Sequence, residues 1–368
     1  MYEKLIKPIL FKQDPEKTHD RALKLGQFFG NFSLSKKILG KIYTYKNEKL
    51  NLEIKGIKFE NPVGLSAGFD KNGVLTEIIP SVGFGFMEVG SVTARKCLGN
   101  PKPRLFRVPE DEGIIVNYGL CNDGAEAVFN KLKNKKFRFP IGISIAKTND
   151  ASIKGDDSVE EYFKAYEILK NIGDYMTINI SCPNVGDGRS FEDTKLLEKL
   201  LKKIGKKHKL LFLKVSPEIN KKDLSKIIKL SEEYNLNFVV SNLTKDRKLM
   251  KTKINADGGL SGKLTKEKAD ELIKYIYKKT KGKKIIIGVG GIFSAEDAYK
   301  KIRNGASLVQ LITGMIYRGP GIVKEINKGL VKLLGRDGFE NIKDVIGIDV
   351  HLSKWYKLCK KTLLSSWT

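Results

Sequence analysis

The chain has 368 residues, of which 41% are hydrophobic and 30% charged. That excludes global disorder, and the absence of any uninterrupted apolar run near the roughly 20 residues of a membrane span excludes a polytopic membrane protein. The formal net charge of +26 first suggests nucleic acid, but only ten of the 68 basic residues are Arg and the Lys residues are spread along the whole chain. A solvated Lys-rich surface is therefore the leading reading and no nucleic-acid partner is expected, while attraction to anionic lipid stays open.

The first segment is helical. Tyr2, Leu5, Ile6, Ile9 and Leu10 fall on one face at helical spacing, with Pro8 set to kink or shorten that helix. Asp14-Pro15-Glu16 reads as an N-cap followed by Pro at the first helical position, opening a helix that carries Ala22, Leu25, Phe28 and Phe29. A third apolar pattern runs through Ile38, Leu39, Ile42 and Tyr43. Short basic amphipathic helices either pack on a larger domain or dock on a membrane surface. The N-terminus lacks the apolar core and small-residue cleavage site of a secretory signal. The four cysteines, at 97, 121, 182 and 359, form no CxxC pair, so neither a disulfide framework nor a metal site is expected.

From residue 51 the rhythm changes. A short hairpin over Leu52–Phe59 precedes eight apolar runs that alternate with amphipathic stretches. The runs are Pro62–Ala67, Phe84–Val89, Ile141–Ala146, Tyr175–Ile180, Leu210–Val215, Asn237–Ser241, Ile285–Val289 and Ser307–Ile312. Eight strand–helix repeats with no spare strand predict a (β/α)8 TIM barrel, an α/β fold, at 49–368, with a helical extension at 1–48. The stretch Ser91–Pro140 is too long for a simple crossover and predicts an excursion at the C-terminal rim, where barrel active sites lie.

The strand ends carry the chemistry. Strand one ends in Ala67-Gly68-Phe69-Asp70-Lys71, two small residues and a cation. Strand four ends in Asn179-Ile180-Ser181-Cys182-Pro183-Asn184, two amides flanking a thiol. Amides offer both donors and acceptors, as a heterocycle with adjacent carbonyl and N–H groups requires, and a thiolate can act as a base. Lys214 ends strand five; a cation directed into a barrel mouth needs an anion or an electron-rich ring. Ser241-Asn242, Gly258–Gly262, Gly290-Gly291 and Thr313-Gly314 follow on the last strands, where barrels bind phosphate. Together these describe a phosphorylated cofactor beside a planar polar substrate and a thiol base, which suits a flavin enzyme.

At this point the chain resembles the dihydroorotate dehydrogenases of the membrane-associated, quinone-using class. The resemblance rests on MYEKLIKPILFKQDPEKTHD, NPVGLSAGFDKNG, GNPKPRLFRV, NISCPN, GGLSGK, IIGVGGI, GASLVQL and the tail LLGRDGFENIKDVIGID, and covers nearly the whole chain. It implies FMN contacts from Ala67, Gly68, Ser91, Ser144, Asn179, Ser241, Gly262, Gly290, Gly291, Ile312, Thr313 and Gly314. Lys214 would lie by the flavin's pyrimidine end. Lys71 would meet both flavin and the substrate carboxylate. Substrate would be held by Asn179, Asn184, Asn242 and the loop Asn117-Tyr118-Gly119-Leu120. Cys182 would be the base that takes the C5 proton of dihydroorotate while hydride leaves C6 for the flavin. Electrons would then reach a quinone near His19 and Arg107. The resemblance further implies peripheral association with the cytoplasmic side of the cell membrane, as a monomer or homodimer.

Four positions depart from the family pattern. The quinone class usually carries Ser at the base position, where Cys182 stands; a thiolate forms more readily, so activity is expected to persist to lower pH. Val116 occupies the place of a substrate Asn, Ser144 that of an FMN-contacting Asn, and Leu243 that of a hydroxyl residue. Two other readings remain open: a sister flavoenzyme acting on another cyclic amide or pyrimidine, or using fumarate or NAD, and a non-catalytic basic protein that binds membrane or nucleic acid.

Overall fold

The computed structural model describes residues 2–181, 194–206 and 208–351. A π-helical turn, Tyr2–Ile6, leads into α1 (Lys7–Phe11), with Pro8 in its first turn, where a missing N–H costs no helical bond. α2 (Pro15–Gly30) begins as its sequence dictates: the Asp14 carboxylate accepts from the Lys17 amide at 2.7 Å, and Pro15 opens the helix. α3 (Ser33–Tyr43) completes the extension. A 3-10 turn at Glu48–Leu50 and the hairpin of β1 (Leu52–Ile54) and β2 (Ile57–Phe59) follow. Phe59 meets Phe86 edge-on at 5.4 Å, so the hairpin plugs the N-terminal end of the barrel.

The chain then lays down β3 (Val63–Leu65) and β4 (Phe86–Val92). The expected excursion comes next, as β5 (Leu105–Val108), β6 (Gly113–Val116) and α4 (Ala125–Leu132). After it come β7 (Ile141–Ile145), α5 (Asp156–Leu169), β8 (Tyr175–Asn179), α6 (Thr194–Ile204), β9 (Leu210–Val215), α7 (Lys221–Glu233) and β10 (Asn237–Val240). β11 (Gly259–Gly262) crosses the rim to pair with β6. α8 (Lys266–Lys279), β12 (Ile286–Val289), α9 (Ala295–Arg303), β13 (Leu308–Leu311), α10 (Thr313–Arg318) and α11 (Ile322–Asp337) follow, and a 3-10 turn at Ile342–Val345 comes after them.

Strands β3, β4, β7, β8, β9, β10, β12 and β13 pair in parallel and close into one barrel. They overlap the eight runs predicted from sequence: six are shortened at their ends, β9 keeps the predicted bounds, and β4 starts two residues later and runs on to Val92. β5, β6 and β11 form a separate antiparallel sheet.

The inward faces of the strands, read every second residue, run from apolar to polar toward the C-terminal end. Phe86, Tyr175 and Phe212 fill the lower layer, Tyr175 and Phe212 with ring centroids 5.3 Å apart. Gly64 and Gly142 make room for them: a Cβ on either would run into the ring of Phe86 or Tyr175. Two residues further along come Glu88, Thr177 and Lys214, joined by Gln310 of β13. Thr177 donates to the Glu88 carboxylate at 2.9 Å, and the Gln310 amide donates to it at 3.4 Å. One more step reaches Asn179, at the mouth.

Candidate active site at the barrel mouth

A chain of hydrogen bonds joins four strand ends. The Asn242 amide donates to Asn179 Oδ1 at 3.3 Å, Asn179 Nδ2 donates to Ser91 Oγ at 2.9 Å, and Ser91 and Ser144 share a hydroxyl–hydroxyl bond of 2.8 Å. Asn242 also donates to the Ser181 carbonyl at 2.9 Å, and Ser181 Oγ donates to the Lys214 carbonyl at 2.8 Å. Asn179, Ser91, Ser144 and Lys214 are all buried. Below them, burial pushes the Glu88 carboxyl up, and the Lys214 charge is the main force against that. The sequence therefore brings together five of the residues singled out for substrate or cofactor, from five different strand ends. Cys182 and Asn184 lie outside the described residues.

On the side of the last strands, a small cavity of about 80 Å³ is lined by Ser241, Ser261, Gly262, Thr265, Gly290, Gly291, Thr313 and Gly314. Ser261 and Thr313 share a 2.8 Å hydroxyl bond, and Thr265 Oγ1 donates to the Gly262 carbonyl at 2.9 Å. Gly262 (φ +91°) and Gly291 (φ +70°) are required here: a Cβ would strike the Glu112 carbonyl at one and the Lys266 side chain at the other. Hydroxyls and glycine backbone in one enclosed space are the donor set an oxyanion needs, so these residues fit a phosphate.

A larger cavity, about 520 Å³, opens from the same mouth. Ala67, Asn242, Lys214, Ile312 and Thr313 line both spaces, so one elongated ligand can occupy them together. The larger cavity continues past Gly68, Lys71, Ser91, Tyr118, Gly119 and Leu120 to emerge between α2 and α3, beside Ala22, Phe29, Leu39 and Tyr43. Val116 and Leu243 line it too, making the mouth more apolar at those two positions.

Lys71 Nζ rests 3.8 Å from the centroid of the Tyr118 ring. Burial holds its amine down to about 8, with the Cys121 sulfur the strongest influence the other way. His19 packs edge-on against Phe69 at 4.8 Å, and its Nε2 is buried without a partner among the described residues. Burial first, and the Lys71 charge next, push the imidazole down to about 3, so it is neutral through the physiological range. Arg107 lines the passage and anchors α1: its guanidinium donates to the Gln13 carbonyl at 2.7 Å and stacks on Phe11 at 4.8 Å.

Asn117 does not join the mouth. Its Oδ1 accepts from Asn100 Nδ2 at 2.8 Å and it lines an outer, Lys-rich groove instead. Strand alternation explains this: Val116 and Tyr118 face the cavity, so the residue between them faces away.

Sequence reasoning missed Arg104 and Glu16. Arg104 stands in GNPKPRLFRV, a motif from which only Arg107 was taken, and Glu16 was read only as part of a helix start. The two form a buried ion pair, with Arg104 Nε and Nη2 donating to Glu16 Oε1 at 3.0 and 2.8 Å. An Arg and an acid in separate motifs carry no sequence signal that they pair.

These features define a (β/α)8-barrel enzyme whose mouth suits a phosphorylated ring ligand and is continuous with an apolar passage beneath α2 and α3. Residues 49–334 match the family model described as dihydroorotate dehydrogenase. The chain is 37% identical over 374 residues to a dihydroorotate dehydrogenase (quinone) of Trichodesmium erythraeum, covering 95% of this chain and 98% of that protein. It is also 37% identical over 350 residues to the dihydroorotate dehydrogenase (quinone) of Natronomonas pharaonis, covering 94% and 99%. The crystal structure of DHODH from Eimeria tenella in complex with ferulenol superposes with a TM-score of 0.79 at 30% identity, covering 92% of this chain and 96% of that one. The chain belongs to the dihydroorotate dehydrogenase family, whose members depend on a flavin.

Proposed function

We propose that this protein oxidises (S)-dihydroorotate to orotate, with FMN as resident cofactor and a quinone as final electron acceptor, in de novo pyrimidine synthesis. The observation that carries this reading is the continuous cavity from the amide- and Lys-lined mouth to the apolar gap between α2 and α3. A polar substrate at the mouth and an apolar acceptor in the gap would thereby occupy the two ends of one cavity.

When bound, FMN supplies the ring that accepts hydride and hands the electron pair to quinone. Gly262, Gly291 and Thr313 would hold its phosphate end, and Lys214 would offset negative charge at its pyrimidine end. Lys71 would meet the substrate carboxylate as a cation. Asn179, Asn184 and Asn242 would orient the substrate ring, and the Cys182 thiolate would take the proton from C5. The buried mouth excludes water from the reacting atoms.

The extension supports peripheral attachment to the cytoplasmic side of the membrane. Ten of the eleven exposed large apolar side chains among the described residues lie in it, including Leu5, Ile9, Phe28, Phe32, Leu34 and Ile38. No described helix is long and apolar enough to cross a membrane. An amphipathic basic surface of this kind lies in the lipid interface.

An acceptor screen tests the proposal. Dihydroorotate turnover is measured with a soluble quinone analogue, fumarate and NAD in parallel. Preference for quinone is the expected result; turnover with fumarate or NAD but not quinone overturns the acceptor assignment.

A further inference from the structure

We infer that Tyr118 is a positioning residue for Lys71, and that the first turn of α2 fixes Tyr118 in place through Arg104. Among the described residues Lys71 has no hydrogen-bond or ion-pair acceptor. Its ammonium instead lies 3.8 Å from the centre of the Tyr118 ring. Lys71 is half-buried on the cavity wall, where a cation gains from an electron-rich partner, and a ring face is worth more as water is excluded. The Tyr118 hydroxyl is buried without a partner among the described residues, so what the ring offers is its face.

That ring is supported by Arg104, whose guanidinium carbon is 5.2 Å from its centroid. Arg104 is itself fixed on every side. Its Nη1 donates to the carbonyls of Leu98 (2.8 Å) and Asn100 (3.1 Å), and its Nε and Nη2 to Glu16 of α2. Glu16 takes a second cation from Lys102 at 3.2 Å. One turn further along α2, His19 packs against Phe69, two residues before Lys71, and lies 6.3 Å from the Tyr118 ring. α2 thus touches both loops that carry the Lys71–Tyr118 pair. The helix is part of the barrel-mouth machinery, and not only a wall of the apolar passage. The consequence for catalysis rests on the proposed function, because Lys71 is there the cation that meets the substrate carboxylate; the contact itself does not.

The test is made on the flavin-loaded protein with two readouts. One is the rate at which Lys71 is acetylated by a succinimidyl ester, followed by peptide mass spectrometry. The other is the orotate dissociation constant, read from the change in flavin absorbance. Tyr118→Leu and Glu16→Gln are expected to speed Lys71 acetylation and weaken orotate binding, each by about tenfold for Tyr118→Leu. Tyr118→Phe, which keeps the ring, is expected to restore slow acetylation. Wild-type acetylation in Tyr118→Leu overturns the positioning role, and acetylation in Tyr118→Phe as fast as in Tyr118→Leu overturns the role of the ring face. Wild-type behaviour of Glu16→Gln, with Tyr118→Leu altered, overturns the part given to α2. Glu16→Gln changes a helix-terminal side chain and keeps the inference testable if Tyr118→Leu fails to fold. Wild-type protein that does not bind orotate contradicts the proposed function, and acetylation still decides the contact.

Discussion

Asn242 and Asn179 meet across the barrel mouth, the amide of one 3.3 Å from the carbonyl oxygen of the other, and so join the ends of β10 and β8. Each also keeps polar capacity for a ligand, and although Asn242 borders the small cavity, neither side chain hydrogen-bonds Gly262, Gly291 or Thr313, the residues that would hold a phosphate. Asn242→Ala is therefore expected to retain flavin while raising the dihydroorotate concentration needed for half-maximal flavin bleaching by about tenfold per lost hydrogen bond. Loss of flavin with no change in that concentration contradicts the assignment.

In the proposed function the passage beneath α2 serves only the second half-reaction, the reoxidation by quinone. Ala22 lines its outer part, far along the passage from Lys214. Ala22→Phe is expected to leave flavin bleaching by dihydroorotate at its normal rate. Reoxidation by a soluble quinone is expected to slow on the order of tenfold, as a steric penalty of about 1.4 kcal/mol produces. Stopped-flow measurement of each half-reaction checks this; equal slowing of both means the passage is not the acceptor's route.

His19 makes a prediction about acid stability. Burial drives its imidazole down to about 3 in the folded protein, against the ordinary value of 6.5. Between those values the unfolded chain binds a proton that the folded chain does not, so stability falls as pH is lowered from about 6.5 toward 3. His19→Asn is expected to lose less stability than wild type over that window. Denaturant midpoints at pH 7 and pH 4.5 measure the difference, and parallel losses in the two proteins count against a buried neutral imidazole.

Gly142 tests the packing below the site. A Cβ there overlaps the Tyr175 ring, which packs on Phe212 and shares the polar layer around Glu88 and Gln310. Gly142→Ala is expected to destabilise the barrel by about 1–3 kcal/mol, seen as a lower thermal midpoint. An unchanged midpoint means the ring moves aside freely.

The eight strands were legible because buried parallel strands read as short apolar runs between helical stretches, and the Asp14-Pro15 helix start because capping is local. The strand-end residues could be read for the same reason: once a strand is placed, its C-terminal end is placed too. What sequence did not carry is which way a loop residue turns and what it meets from a distant segment. Asn117 faces away from the mouth because its neighbours face in, and Arg104 finds Glu16 across 88 positions of chain. The three-stranded sheet of β5, β6 and β11 was likewise hidden, since β11 reads as a glycine-rich turn and pairs with a strand 146 residues earlier.

The most direct measurement of the central claim is an anaerobic single turnover in the stopped-flow. The flavin-loaded protein is mixed with dihydroorotate, its absorbance near the flavin maximum is followed, and a soluble quinone is then added. Complete bleaching with one orotate formed per flavin is expected, with full recovery of the yellow colour on quinone addition. Bound flavin that dihydroorotate does not bleach would contradict the claim.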